Sequence, residues 1–306
     1  MAAIAYPVVR GLILFTLLAL VGTVVAARLV ARSGVGTLGS PAIVIDGWLR
    51  RLPGLLAWFL LTLSLLRGGL QLLAFSDPGM PIDNALAVAV LTVGPWGTGW
   101  MVQTAAAFIL LALSWLLRRD ATRLQWTVAL MTGILIVAQS GMGHGVEDFW
   151  RPALLGRATH AAHLLGGGLW VGTLMVLALA VIPSLQGAAA RPVLADIIRR
   201  FSVHARTGAL LVVASGVVAT LTYTASLNDL WSSTWGWLLL AKLAGFLGIA
   251  ALGWFNWRIL TPRLTAGDRP AASQLRLAVA IEVAVAIAVL GFTAVLVAVE
   301  LPVTAG

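Results

Sequence analysis

Residues 277–300 read LAVAIEVAVAIAVLGFTAVLVAVE, and this stretch decides the fold class of the chain. A helix that crosses the hydrocarbon core of a bilayer needs about 20 consecutive, mainly apolar residues. The stretch has this length, and its only internal ionisable residue is Glu282. Because backbone groups in lipid must be hydrogen-bonded within their own segment, a run of this kind must be a helix.

Seven further runs share this character, so the sequence predicts an all-α polytopic membrane protein with eight transmembrane helices. No alternating pattern typical of barrel strands is present. The first run is interpreted as a retained helix and not a secretory signal, because Arg28 and Arg32 follow it instead of preceding it. The eight predicted helices cover residues 8–27, 55–75, 96–117, 126–140, 158–182, 207–225, 235–257 and 277–300.

Composition excludes several classes of protein. Hydrophobic residues make up 60% of the 306 residues and charged residues only 10%, whereas soluble domains carry about 25% charge. The absence of cysteine excludes disulfides, thiolate nucleophiles and cysteine-ligated metals. No phosphate-binding loop, nucleophile elbow or dinucleotide fingerprint in a strand–helix context is found. We therefore expect a protein that is not an enzyme.

The arginines are distributed unevenly between alternate loops. After the first, third, fifth and seventh predicted helices come four, three, four and four arginines, whereas the opposite loops hold only Arg10, Arg151 and Arg157. Cytoplasmic loops carry the excess of basic residues in membrane proteins. The pattern predicts a bacterial inner-membrane protein with both termini in the periplasm. The basic excess is thus explained by membrane topology. We expect the lipid bilayer as a partner and no nucleic acid.

A short internal similarity suggests two related halves. Trp96-Gly97 opens the third predicted helix and Trp235-Gly236 opens the seventh. Seven residues further on, Gln103 and Lys242 occupy matching positions. The sequence thus predicts a four-helix half at residues 1–140 and another at 141–306, related as parallel repeats.

Three of the four histidines fall around the turn between the fourth and fifth predicted helices, together with a methionine. They are Met142, His144, His160 and His163. Residues three apart share a helix face, so His160 and His163 can point at one spot. Imidazole and thioether ligands together suit copper, and thioether selects Cu(I). The pattern predicts a copper site here, with turn-stabilising histidines as the alternative; His204 lies on the opposite side.

Arg67, Lys242 and Glu282 are the clear ionisable residues within the predicted helices, and Gln103 is a further polar candidate there. A charged side chain at a helix centre costs about 2.5–3.5 kcal/mol on insertion scales, so such residues are candidates for a transport pathway. The alternative is that they face the bundle and bond to glutamines, including Gln139, or to backbone carbonyls. Two cations beneath the outer histidines would also repel a copper ion moving inward.

An ordered set of motifs in the second half resembles the copper resistance protein D family (CopD/PcoD). The similarity covers about residues 140–295, while the first 140 residues resemble the family's N-terminal half more loosely, through residues 96–100. The motifs are Gly143-His144, His163-Leu-Leu-Gly-Gly-Gly-Leu-Trp170-Val-Gly172, Arg199-Arg200-Phe201-Ser202, Thr234-Trp-Gly236 followed by Lys242, and Asn256-Trp-Arg258.

This resemblance implies an eight-helix protein that receives a copper ion from the periplasm and moves it toward the cytoplasm. It also implies a periplasmic copper carrier (CopC-like) as partner, and metal positions at His144 and His163; His160 is added by spacing and Met142 by ligand chemistry. Two alternatives remain. One is a membrane redox protein that holds haem b, with Arg67 and Lys242 meeting the propionates. The other is an assembly protein whose histidines stabilise an interface.

Overall fold

A computed structural model describes residues 2–76, 83–142, 153–224, 226 and 228–296. All regular elements in these ranges are helical, and eight helices are long and apolar enough to cross a membrane. The predicted all-α, eight-helix class is therefore confirmed. Spans 1 to 8 are Ala5–Ala31, Ser40–Phe75, Gly94–Leu116, Ala121–Ser140, Leu154–Ser184, Arg191–Thr222, Thr234–Thr265 and Pro270–Leu296.

Two spans contain π-helical turns, in which the backbone accommodates an extra residue. Span 5 has them at Gly168–Gly172 and Leu177–Val181, and it ends in a 3-10 turn at Ile182–Ser184. Span 7 has one at Asn256–Leu260, between the α-helical segments Thr234–Phe255 and Thr261–Thr265. Such turns are frequent at functional sites. Short helices outside the spans cover Gly34–Leu38, Asn84–Thr92 and Asp229–Ser232.

Spans 2 and 6 begin about four turns earlier than the apolar runs predict, at Ser40 and Arg191. Ion pairs one helical turn apart lie in these extensions. Arg50 Nε lies 2.6 Å from Asp46 Oδ2, and Arg200 Nε lies 2.7 Å from Asp196 Oδ2. Hydropathy identifies the part of a helix that lipid covers, and it misses polar turns that continue beyond the lipid.

The arginine-bearing loops meet on one side of the bundle, which we call the arginine-rich face. Arg50 Nη1 donates to the carbonyl oxygens of Arg118 and Arg119. Arg191 Nη1 likewise donates to the carbonyl of Gly267. Loops that are distant in sequence are thus joined on the side where the count of basic residues had grouped them.

Spans 1 and 5 form the centre of the bundle. Two-thirds of their most apolar windows are buried, against 11% for span 6 and 6% for span 7. Their backbones approach closely because glycines line the crossing: a Cβ on Gly22 would overlap the carbonyl of Gly172, and one on Gly168 would overlap Val21. Small residues allow this contact. Span 1 thereby joins the two halves of the chain.

Spans 3 and 7 have similar entrances. Each follows a short helix, Asn84–Thr92 or Asp229–Ser232. The backbone of that helix lies against Gly97 in one case and Gly236 in the other, so a Cβ at either glycine would overlap it. This shared arrangement is consistent with related halves, while the repeat itself stays a prediction.

Candidate functional site

Arg67 of span 2 lies in the half of the bundle away from the arginine-rich face, and its side chain is completely buried. Its Nη1 donates to Gln139 Oε1 at 3.1 Å and lies 3.6 Å from Met142 Sδ. Its Nε donates to the Tyr6 hydroxyl at 3.3 Å. The rings of Tyr6 and Trp96 lie 5.6 and 5.7 Å from the guanidinium carbon. Four spans therefore hold one cation, which pairs with no carboxylate of the described residues.

Met142 is also buried, at the end of span 4. Its side chain fills the space beside Gly99, where an added Cβ would come within 2.5 Å of Met142 Cγ. Any larger residue at position 99 would displace the methionine. The thioether is thus held between span 3 and the Arg67 guanidinium.

Gln103 belongs to a separate polar network between spans 2 and 3. Its Nε2 donates to Ser64 Oγ at 3.3 Å, and that oxygen lies 2.7 Å from Thr104 Oγ1. Trp100 Nε1 also donates to the Ser64 carbonyl at 2.7 Å. These contacts give Gln103 a role in joining two helices.

His163 of span 5 is oriented by span 6. Its Nδ1 lies 2.9 Å from Ser215 Oγ, and the Ser215 hydroxyl donates to the Leu211 carbonyl at 2.5 Å. The Ser215 hydroxyl also lies 3.2 Å from the Val212 carbonyl, and in the His163 tautomer that is protonated at Nδ1 the serine oxygen accepts from Nδ1–H. In the neutral ring, Nε2 then carries the lone pair, which is the atom that would bind a metal.

His160 and His163 share an electrostatic environment with cations from other spans. Lys242 is close enough to interact electrostatically with both rings, and His160 interacts in the same way with His163. Arg67 and Arg10 act on His160 as well. We call Arg67, Met142, His160, His163 and Lys242 the outer cluster.

The predicted metal ligands have different immediate contacts. Met142 contacts spans 2 and 3, His163 contacts span 6, and His144 lies outside the described residues. Within the described ranges, no group of three or more histidine, cysteine, aspartate or glutamate side chains is arranged to hold a metal ion. The four-ligand site stays a prediction.

Glu282 of span 8 is 2% exposed and forms no ion pair with Lys242 in the described part of the chain. Its Oε1 instead accepts a hydrogen bond from Asn256 Nδ2, at the start of the π-helical turn of span 7. The alternative interpretation of the intramembrane polar residues predicts a glutamine or backbone partner, whereas the partner of Glu282 is an asparagine. Asn256 was noted only as part of a motif, so its role in bonding Glu282 was missed.

A cavity of about 210 Å³ lies beside this pair, between spans 5, 6, 7 and 8. Glu282 and Asn256 both line it, and we call it the inner cavity. Arg206 lies toward the arginine-rich face, with its guanidinium carbon 4.9 Å from the centre of the Trp257 ring. The aromatic lining residues are Trp170, Phe201, Trp254 and Trp257.

Comparisons with known proteins give a consistent result. The family described as "Copper resistance protein D" matches residues 195–296, and the family described as "Copper resistance protein D-like, N-terminal domain" matches residues 1–149. A protein of Pseudomonas syringae pv. tomato named "Copper resistance protein D" is 30% identical over 221 residues, which are 68% of this chain and 69% of that protein. No solved structure matches the chain.

Proposed function

The chain belongs to the copper resistance protein D family, and from this premise we propose that it transports copper across the bacterial inner membrane. The family supports a role in copper resistance. In the proposal, copper enters from the periplasm at the outer cluster and leaves toward the cytoplasm at the arginine-rich face. Both termini then lie in the periplasm, and the protein acts as a transporter, not as an enzyme.

The observation that carries the proposal is the orientation of His163. Its Nδ1 lies 2.9 Å from Ser215 Oγ, and in the tautomer that donates to the serine the Nε2 lone pair is available to bind a metal. Metal-binding histidines commonly donate their second ring N–H in this way, and the bond fixes both tautomer and ring direction. In the proposal His160, one helical turn before His163, contributes a second imidazole.

Met142 and His144 complete the proposed entry site. Thioether and imidazole suit Cu(I), and a carboxylate-poor site disfavours hard cations. The Arg67 charge is close to Met142, but its guanidinium faces two aromatic rings that attract cations. This arrangement offsets part of the repulsion that an incoming copper ion would meet.

A CopC-like periplasmic carrier is the proposed donor of copper. The outer cluster lies at the face where such a carrier would dock in the proposed orientation. Transfer by exchange of ligands would bring copper to the histidines without ATP hydrolysis, for which the sequence contains no phosphate-binding loop.

Titration of the purified protein with Cu(I) against a competing chelator tests the entry site. We expect His163→Ala to weaken Cu(I) binding at least about tenfold, because it removes a direct ligand. His204→Ala is the matched control, since His204 Nδ1 lies 3.2 Å from the Arg200 carbonyl on the opposite side of the bundle. Equal affinities for His163→Ala and the unaltered protein would reject this site.

Haem b binding is the second candidate function, and one observation favours it. Arg67 is a buried cation without a carboxylate partner in the described ranges, and it acts on the same histidine as Lys242. Propionates could balance these charges, and paired histidines can ligate haem iron. A visible spectrum of the purified protein decides between the functions: a Soret band supports haem, and its absence after haem supplementation removes that candidate.

A further inference from the structure

The Glu282 carboxyl has no cationic partner among the described residues that would balance a negative charge. Its side chain is buried, and its one hydrogen bond from a described residue comes from the neutral amide of Asn256. The other charged side chain among the lining residues of the inner cavity is Arg206, which forms no ion pair with Glu282. An unpaired carboxylate is costly in apolar surroundings, and protonation removes its charge.

Asn256 gives the site a second oxygen acceptor. Its side chain is 5% exposed, and Oδ1 has no hydrogen-bond partner among the described residues, because Nδ2 is directed to Glu282. The Asn256 carbonyl accepts from Thr261 Oγ1 across the π-helical turn. The turn thus fixes the asparagine, and a buried acceptor without a donor is unfavourable unless something donates to it.

The chemistry of the inner cavity limits what it can bind. Glu282 and Asn256 provide oxygen atoms from only two side chains, whereas Ca²⁺ and Mg²⁺ need about six ligands. Neither oxygen is a soft ligand of the kind that selects Cu(I). A proton needs only one carboxyl oxygen and a route to water, and the cavity extends to Arg206 near the arginine-rich face.

We infer that Glu282 is a proton-exchange site, reached through the inner cavity and positioned by Asn256. One carboxylate oxygen takes a proton from hydronium on the side of the arginine-rich face and leaves water, and in the coupled cycle the proton passes to water on the opposite side as copper enters. Resting on the proposed function, we further assign this proton as the coupling ion for copper movement. Exchange of one proton for one Cu(I) ion would leave the net charge of the bundle unchanged.

A hydrophobic carbodiimide tests proton binding without any copper. Such reagents add to a protonated carboxyl in apolar surroundings and rearrange to a stable N-acylurea that mass spectrometry locates. We expect at least about tenfold more label on Glu282 than on Asp196, because protonation of a buried carboxyl avoids an unpaired charge. Asp196 is the internal control, since it pairs with Arg199 and Arg200 at 2.6 and 2.7 Å.

The labelling of Glu282 should fall as buffer pH rises, and Glu282→Gln should lose the label while keeping its acceptor for Asn256. Asn256→Leu should alter the pH at which labelling falls, since it removes the one hydrogen bond to the carboxyl. No label on Glu282, or labelling equal to that of Asp196, would overturn the proton site.

Coupling is tested in proteoliposomes that contain a pH-sensitive dye and receive Cu(I) from outside. We expect Cu(I) entry to move protons out, and Glu282→Gln to retain Cu(I) binding but lose this proton movement. Copper entry without proton movement in the unaltered protein would overturn coupling. If no copper enters at all, the proposed function fails, and the carbodiimide result still decides whether Glu282 exchanges protons.

Discussion

The outer cluster buries a cation and the inner cavity is lined by a buried acid, and the two regions accommodate their charges in different ways. The outer cluster contains cations and, among its described members, no acid, and Arg67 is enclosed by hydrogen bonds and rings. The inner cavity has a single acid, Glu282, with open space beside it. An ion pair across the membrane would have been the simpler way to neutralise both.

The two environments indicate different roles for the two charged groups. Arg67 contacts spans 1, 2, 3 and 4, so its charge is built into the packing of the N-terminal half. Glu282 makes one side-chain hydrogen bond and lines a cavity, so its charge is accessible to exchange. We therefore expect replacement of Arg67 to affect stability most, and replacement of Glu282 to affect activity while leaving stability almost unchanged.

The largest effect is expected for Arg67→Leu. The change leaves Gln139 Oε1 without its donor in a buried region, and a buried acceptor left without a partner costs about 1–3 kcal/mol. Thermal unfolding in detergent, followed by tryptophan fluorescence, should show a clear drop in the midpoint. Arg123→Leu is the matched control, because Arg123 is 78% exposed. Equal midpoints for the two variants would mean that Arg67 is not integrated into the packing.

Ser215→Ala is expected to have the next largest effect, on Cu(I) binding. Loss of the hydroxyl frees the His163 ring to rotate and exchange tautomers, and partners of metal-binding histidines contribute about 10- to 100-fold in affinity. The chelator competition that measures His163→Ala applies here too. Ser215→Thr keeps a hydroxyl and should retain most of the affinity. If Ser215→Ala binds as the unaltered protein does, the orientation of His163 does not matter for copper.

Much of the fold follows from the sequence. The length of each apolar run must match the thickness of the bilayer, and the distribution of arginines determines which loops face the cytoplasm. The contacts of the site were harder to predict. That Arg67 bonds to Gln139 was one of several alternatives. The role of Ser215 had no signal, since serine hydroxyls in helices usually bond to their own backbone, and Tyr6 contacts Arg67 from a span 61 residues away in sequence, which no local pattern indicates.

Asn256 was missed for a different physical reason. Its side chain can reach Glu282 because span 7 forms a π-helical turn at Asn256–Leu260. Periodicity analysis assumes about 3.6 residues per turn, and an added residue changes which side chains share a face. The inner cavity likewise depends on how four spans pack, which hydropathy does not describe.

A smaller effect is expected at the mouth of the inner cavity. Arg206 is exposed, and its contact with the Trp257 ring is worth about 0.5–1 kcal/mol. Arg206→Gln should lower the unfolding midpoint slightly and change the salt dependence of carbodiimide labelling at Glu282. Arg206→Lys keeps the charge and should change that salt dependence less. Identical salt dependence in the unaltered protein and both variants would mean that Arg206 does not influence proton access to Glu282.

The smallest effect on stability is expected for Glu282→Gln, which tests whether the charge of Glu282 contributes to the packing. Gln keeps the shape of the side chain and an oxygen that accepts from Asn256 Nδ2, so the free energy of unfolding should change by no more than about 0.5 kcal/mol, the lower end of what one hydrogen bond contributes. Its new amide donor can also reach toward Asn256 Oδ1, which has no described partner. A loss of stability as large as that of Arg67→Leu would mean that the charge of Glu282 holds the helices together, and the contrast between the two regions would disappear.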